Sequence, residues 1–151
     1  YEENMEFDYI DGQKVPQTYI DEDFELVGTH DGTVHVISGV FKLLGTLRGT
    51  LDIKTEKTLE ILGNQQGTVS LSNDSNVIVK GTISGTVSIP YGAVMTIEPS
   101  GKLQGTLVND GTVILKGVFG GQQSGAGDLI IEDQGYIKQP VVKDGMTFYQ
   151  W

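Results

Sequence analysis

Glycines in this chain come in pairs four residues apart, and the pairs return about every eighteen residues. The pairs are Gly28/Gly32, Gly45/Gly49, Gly63/Gly67, Gly81/Gly85, Gly101/Gly105 and Gly117/Gly121. Gly135 continues the series, with Gln139 where its partner would stand. First members lie 17, 18, 18, 20, 16 and 18 residues apart. An apolar-x-apolar doublet precedes each: Phe24/Leu26, Phe41/Leu43, Leu59/Ile61, Val77/Val79, Met95/Ile97, Val113/Leu115 and Leu129/Ile131. Four pairs are followed by a second doublet: Val34/Val36, Leu51/Ile53, Val69/Leu71 and Val87/Ile89.

Alternation with period two marks strands, and its recurrence near eighteen marks a repeat. Each unit reads as three short strands, with glycines at corners where a side chain would clash or positive φ is needed. A single unit cannot bury its doublets, whereas a stack at the ~4.8 Å strand spacing joins them into one core. Seven rungs make a rod of roughly 30 Å. The expected fold is all-β, a single-domain parallel β-helix (β-solenoid) of about seven rungs with capped ends. The expected parts are an acidic arm or cap over 1–23, the β-helix over 24–137 and an aromatic cap over 138–151.

The register makes one sharp prediction. His30, Leu47, Gln65, Ile83, Leu103, Phe119 and Ile137 each stand midway between paired positions, and Leu47, Ile83, Leu103, Phe119 and Ile137 should form one inward column. Gln65 would interrupt it and need backbone or water partners, since a buried unpaired amide costs about 1–3 kcal/mol.

Segments such as "SGKLQGTLVNDGTVILKGVFGG" (100–121) and "VIVKGTISGTVSI" (77–89) resemble the bactofilins, bacterial cytoskeletal proteins with a right-handed triangular β-helix. The shared feature is an apolar doublet followed by Gly-x-apolar-x-Gly, over residues 24–137. The resemblance implies a non-catalytic scaffold that polymerises end to end, with no catalytic residues to carry over. Two regions depart from it: an N-terminal arm with Tyr9, Tyr19 and Phe24, and a tail with Tyr136, Phe148, Tyr149 and Trp151. Both are expected to cover the ends and oppose head-to-tail growth. "IPYGAVMTIEPSGKLQGTLVNDGTVIL" (89–115) is similar to surface adhesins of the autotransporter kind.

Charge singles out one end. Residues 1–27 hold nine carboxylates against Lys14 alone, out of a net charge of −10. Such an arm repels a phosphate backbone, which argues against nucleic acid, and attracts a basic protein. Candidate partner-binding residues are therefore Glu2, Glu3, Glu6, Asp8, Asp11, Asp21, Glu22 and Asp23. The arm also holds Tyr9, Ile10, Val15, Tyr19 and Ile20, too apolar for a purely solvated tail, so it should fold over strand edges.

Catalytic signals are sparse. His30 and His35 are five apart and would face opposite ways on one strand, so a metal site is not expected. His35 aligns with Asp52 and Asp31 with Arg48 one rung on, read as cross-rung surface pairs rather than a catalytic set. Ser38 has no neighbouring base in this register. The chain has no Cys, hence no disulfide or thiolate site, and no cofactor is expected. Threonine columns (Thr33, Thr50, Thr68, Thr86, Thr106) fit strand starts after corner glycines. "GGQQSGAG" (120–127) lacks the Lys of a phosphate loop and reads as an irregular loop.

No apolar run approaches the ~18 residues of a membrane span, and Tyr1 to Ile10 lacks a signal-peptide profile. The cytoplasm is the favoured location, with the cell surface left open. The expected function is non-enzymatic protein–protein contact of the bactofilin-like scaffold type, with self or a basic protein as partner. The alternatives are a cytosolic immunity or inhibitor protein binding a basic toxin, and then a surface adhesin module.

Overall fold

In a computed structural model of the chain, which describes residues 7–54 and 56–151, the doublets stack as the period requires. The described residues form strands and turns with no helix. One parallel sheet has seven strands, from Phe24–Leu26 at one edge to Asp128–Ile131 at the other. It makes one face of a solenoid of seven turns. A ten-stranded sheet makes the other two faces.

Registers join like to like. Phe24, Phe41, Leu59, Val77, Met95, Val113 and Leu129 succeed one another in one column. Leu26, Leu43, Ile61, Val79, Ile97, Leu115 and Ile131 form the next. From Phe41 to Leu115 every member of both columns is fully buried. Each rung therefore supplies a lid for its neighbour, and burial of roughly 1.5–3 kcal/mol per large apolar side chain accumulates along the axis.

The expected three strands per rung hold in the first turns, as in Thr46–Arg48 and Leu51–Ile53. Later rungs fuse two of them into one bent strand: Asn64–Ser70, Thr82–Ile89, Lys102–Asn109 and Val118–Ser124. The bend falls on the second glycine of each pair. Gly85 takes φ +141, open to glycine and strained for other residues, so the strand turns without breaking. The first glycine of the pair serves closeness instead: a Cβ on Gly81 would collide with the carbonyl oxygen of Gly63 one rung back.

The 20-residue spacing costs no register. Its two extra residues sit in the corner turn at Glu98–Gly101, where the Gly101 N–H donates to the Glu98 carbonyl at 2.7 Å. The ladder on either side is unbroken. At the next rung Asn109 replaces the apolar residue that Ile89 supplies to its column. Its amide donates to the Asp128 carbonyl and accepts from the Gly111 N–H, so the buried polar group is paired.

"GGQQSGAG" departs from expectation. Gly120 to Ser124 are strand, in register with Gln104 to Val108, and the turn follows at Gly125. Loop composition was overruled by the ladder, which supplies partners for the backbone groups of the added strand that face the previous rung. Gly120 occupies an outward column that holds Arg48, Gln66, Ser84 and Gln104 on earlier rungs. The Trp151 ring lies where a Gly120 side chain would be, and the Tyr149 hydroxyl donates to the Gly121 carbonyl at 2.9 Å.

The stack reaches further toward the N-terminus than residue 24. Thr18–Ile20 pairs in parallel with Val34–Val36 and is the first strand of the larger sheet. Before it, Phe7–Ile10 and Gln13–Pro16 form an antiparallel hairpin around Asp11-Gly12. Both turn residues have positive φ, as a two-residue hairpin turn demands. Val141–Lys143 and Met146–Phe148 repeat that device around Asp144-Gly145 near the other terminus.

Candidate functional site at the acidic end

The predicted inward column is present. Leu47, Gln65, Ile83, Leu103 and Phe119 are buried, and His30 and Ile137 flank them half-buried at the ends. Gln65 finds half its needs: Nε2 donates to the Gly49 carbonyl at 2.9 Å, while Oε1 has no partner among the described residues.

The cross-rung pairs both form, in different surroundings. Arg48 grips Asp31 at the surface through two hydrogen bonds, Nε–Oδ1 at 2.6 Å and Nη2–Oδ2 at 3.0 Å. That hydrogen bonding holds the Asp31 carboxyl below its ordinary value. His35, expected at the surface, is only 8% exposed. The reason is the strand Thr18–Ile20, which lays the Tyr19 ring flat on the imidazole at 4.7 Å between centroids. Nδ1 of His35 lies 2.7 Å from Asp52 Oδ2, and Nε2 lies 2.6 Å from Gln17 Oε1. Gln17 in turn donates from Nε2 to Asp8 Oδ1 at 3.1 Å. Ser38 donates to the Asp21 carbonyl and touches no base in that bond. Among the described residues no three His, Asp or Glu side chains gather as metal ligands.

The candidate partner-binding acids divide by role. Glu2, Glu3 and Glu6 lie outside the described residues. Asp8 accepts from the Thr33 N–H at 2.6 Å and hydroxyl at 2.9 Å as well as from Gln17. It is a clip that fastens the hairpin to the first rung. Asp11 forms the hairpin turn. Asp21, Glu22 and Asp23 are exposed on the segment leading into Phe24–Leu26, with Asp23 Oδ1 accepting from the Val40 N–H at 2.8 Å.

Those last acids border a part of the end that the arm leaves open. Thr18–Ile20 supplies an outer strand to one face of the first turn alone. Among the described residues nothing pairs with the outer edge of Phe24–Leu26 or of Thr29–Asp31. Phe24 stacks on Phe41 at 6.3 Å and keeps 42% of its surface exposed; Val27 keeps 68%. A shallow cleft of about 370 Å³ runs beside this edge, lined by Asp23, Phe24, Glu25, Val40 and Lys42. Sequence reasoning counted Glu25 in the acidic arm but not among the candidate partner residues, and it did not mark Val27. For Glu25 the available signal was the outward position inside each doublet, which reads Glu25, Lys42, Glu60 on successive rungs.

Fold and site together define a parallel β-solenoid with an acidic, strand-exposing N-terminal end. No protein-family model, curated protein or solved structure matches the chain.

Proposed function

We propose that the protein is a non-catalytic scaffold, bactofilin-like in being a rigid solenoid that makes protein–protein contacts through its ends. The observation that carries this reading is where apolar surface collects. Ile130, Ile131, Tyr136, Val142, Met146 and Phe148 are all exposed on the last rung and its hairpin. Among the described residues no strand pairs with the outer edge of Asp128–Ile131 or of Tyr136–Ile137. Two such ends brought together would bury that surface and satisfy free backbone groups. The test is light scattering during size-exclusion chromatography of the intact chain. The expected result is a mass that rises with concentration above the 16.3 kDa of one chain, and that Val142→Asp returns to one chain. A mass fixed at one chain at every concentration would overturn end-on assembly.

A second reading, an acidic inhibitor that covers a basic protein, draws on the exposed Asp21, Glu22 and Asp23 beside the open edge. Salt-sensitive binding by a chain that stays monomeric would favour it.

A further inference from the structure

We infer that the open edge of Phe24–Leu26 takes up one extended, basic segment of a partner protein as an added parallel strand. The segment alternates apolar residues with Lys or Arg.

The backbone is ready for it. In a strand, successive residues aim their N–H and C=O groups to opposite sides. Phe24 donates to the Val40 carbonyl at 3.0 Å and the Leu26 carbonyl accepts from Leu44 at 2.9 Å, both toward the stack. The N–H and C=O of Glu25, between them, therefore aim away from it. An incoming strand continues a ladder already seven strands long.

Side chains specify the pattern. Apolar residues on either side of the segment's centre would cover Phe24 and Leu26, as Phe24 itself covers Phe41. Over the first three rungs the outward position alternates in sign, Glu25, Lys42, Glu60, with Lys42 Nζ 3.8 Å from Glu60. From Ile78 on the column is uncharged. One rung further out, the ladder calls for a cation above Glu25. Asp21, Glu22 and Asp23 add to the same field, and no Lys or Arg occurs between Lys14 and Lys42.

A second copy fits this edge badly. Docking its last strand in the same register sets Ile130 against Glu25 and Asp128 against Asp23. Like charges placed directly opposite are destabilising. The occupant is therefore a foreign basic strand and not this chain's own last rung.

The inference rests on the reading that this chain works through protein contacts, but it does not need self-assembly. The probe is a synthetic peptide alternating valine and lysine, titrated calorimetrically into the intact chain, beside a peptide alternating valine and glutamate. The lysine peptide is expected to bind, the glutamate peptide to bind at least about tenfold more weakly. Glu25→Pro removes the outward N–H without touching the ladder to Phe41–Leu43, so the fold is expected to survive, checked by circular dichroism. Its affinity for the lysine peptide should fall about tenfold. Glu25→Gln keeps the N–H and should lose part of the charge preference alone. Glu25→Lys should reverse the preference. Equal binding of the two peptides, no binding of either, or indifference to Glu25→Pro overturns the inference. So does a loss of self-association in Glu25→Pro, which would assign the edge to a second copy. Association through the Val142 end is measured separately, so each idea can fail alone.

Discussion

Each residue's role here depends on which side of the ladder it occupies. Ile61 is fully buried between Leu43 and Val79, so Ile61→Ala opens a cavity between rungs and is expected to cost about 2–5 kcal/mol. Thr68 is exposed, and Thr68→Ala should cost under about 1 kcal/mol. Paired denaturant melts compare the two, and equal losses would contradict the inside/outside assignment. Asp31 gives a pH-dependent counterpart. Its carboxyl is held low by Arg48, so the pair supports the fold above the ordinary carboxylate range. That support is lost as pH falls through the lowered titration. In Arg48→Ala the Asp31 carboxyl should titrate at higher pH, followed by its carbon-13 shift, and the acid-side contribution should vanish.

Among elements, the tail shows how one glycine makes room for another segment. Trp151 is the sole tryptophan, and Lys138 lies over its ring at 5.0 Å while donating to the Gln150 carbonyl at 2.7 Å. A Cβ on Gly120 would come within 2.5 Å of the ring. Gly120→Ala is therefore expected to lift Trp151 from its seat, seen as a red shift and stronger quenching of tryptophan emission. The body of the solenoid should melt almost as before, because Gly120 faces outward. Unchanged emission would mean that the tail is not held there. The N-terminal hairpin is fastened differently, through Asp8 to Thr33 and through Gln17 to His35.

For the whole molecule, a linear stack implies graded stability. Each rung leans on its neighbours, so central rungs open last and ends fray. Amide hydrogen exchange should be slowest between about Phe41 and Leu115, where both doublet columns are fully buried. It should be fastest in the Val141–Phe148 hairpin, every residue of which is exposed. Uniform protection from end to end would instead indicate one all-or-none unit.

Periodicity alone determined the solenoid, its seven doublets, the inward column through Gln65 and the pairing of His35 with Asp52 and Asp31 with Arg48. A repeat can be read this way because each position meets its own equivalent one rung away, which turns spacing in the chain into contact in space. The ends lie beyond that rule, since an end has no next rung to predict from. Only the tertiary structure decided that Thr18–Ile20 joins the stack while residues 7–16 turn back as a hairpin. The same holds for Tyr19 burying His35, for Asp8 becoming a clip, and for Trp151 seating on Gly120. Asp8 and Trp151 meet segments with which they share no period, and packing rather than pattern selects those contacts. Thr18–Ile20 does keep the repeat, sixteen residues before Val34–Val36, but lacks the glycine pair and doublet that mark a rung. The edge of Phe24–Leu26 is open for the same physical reason: the chain that could have continued the ladder there was used in the hairpin.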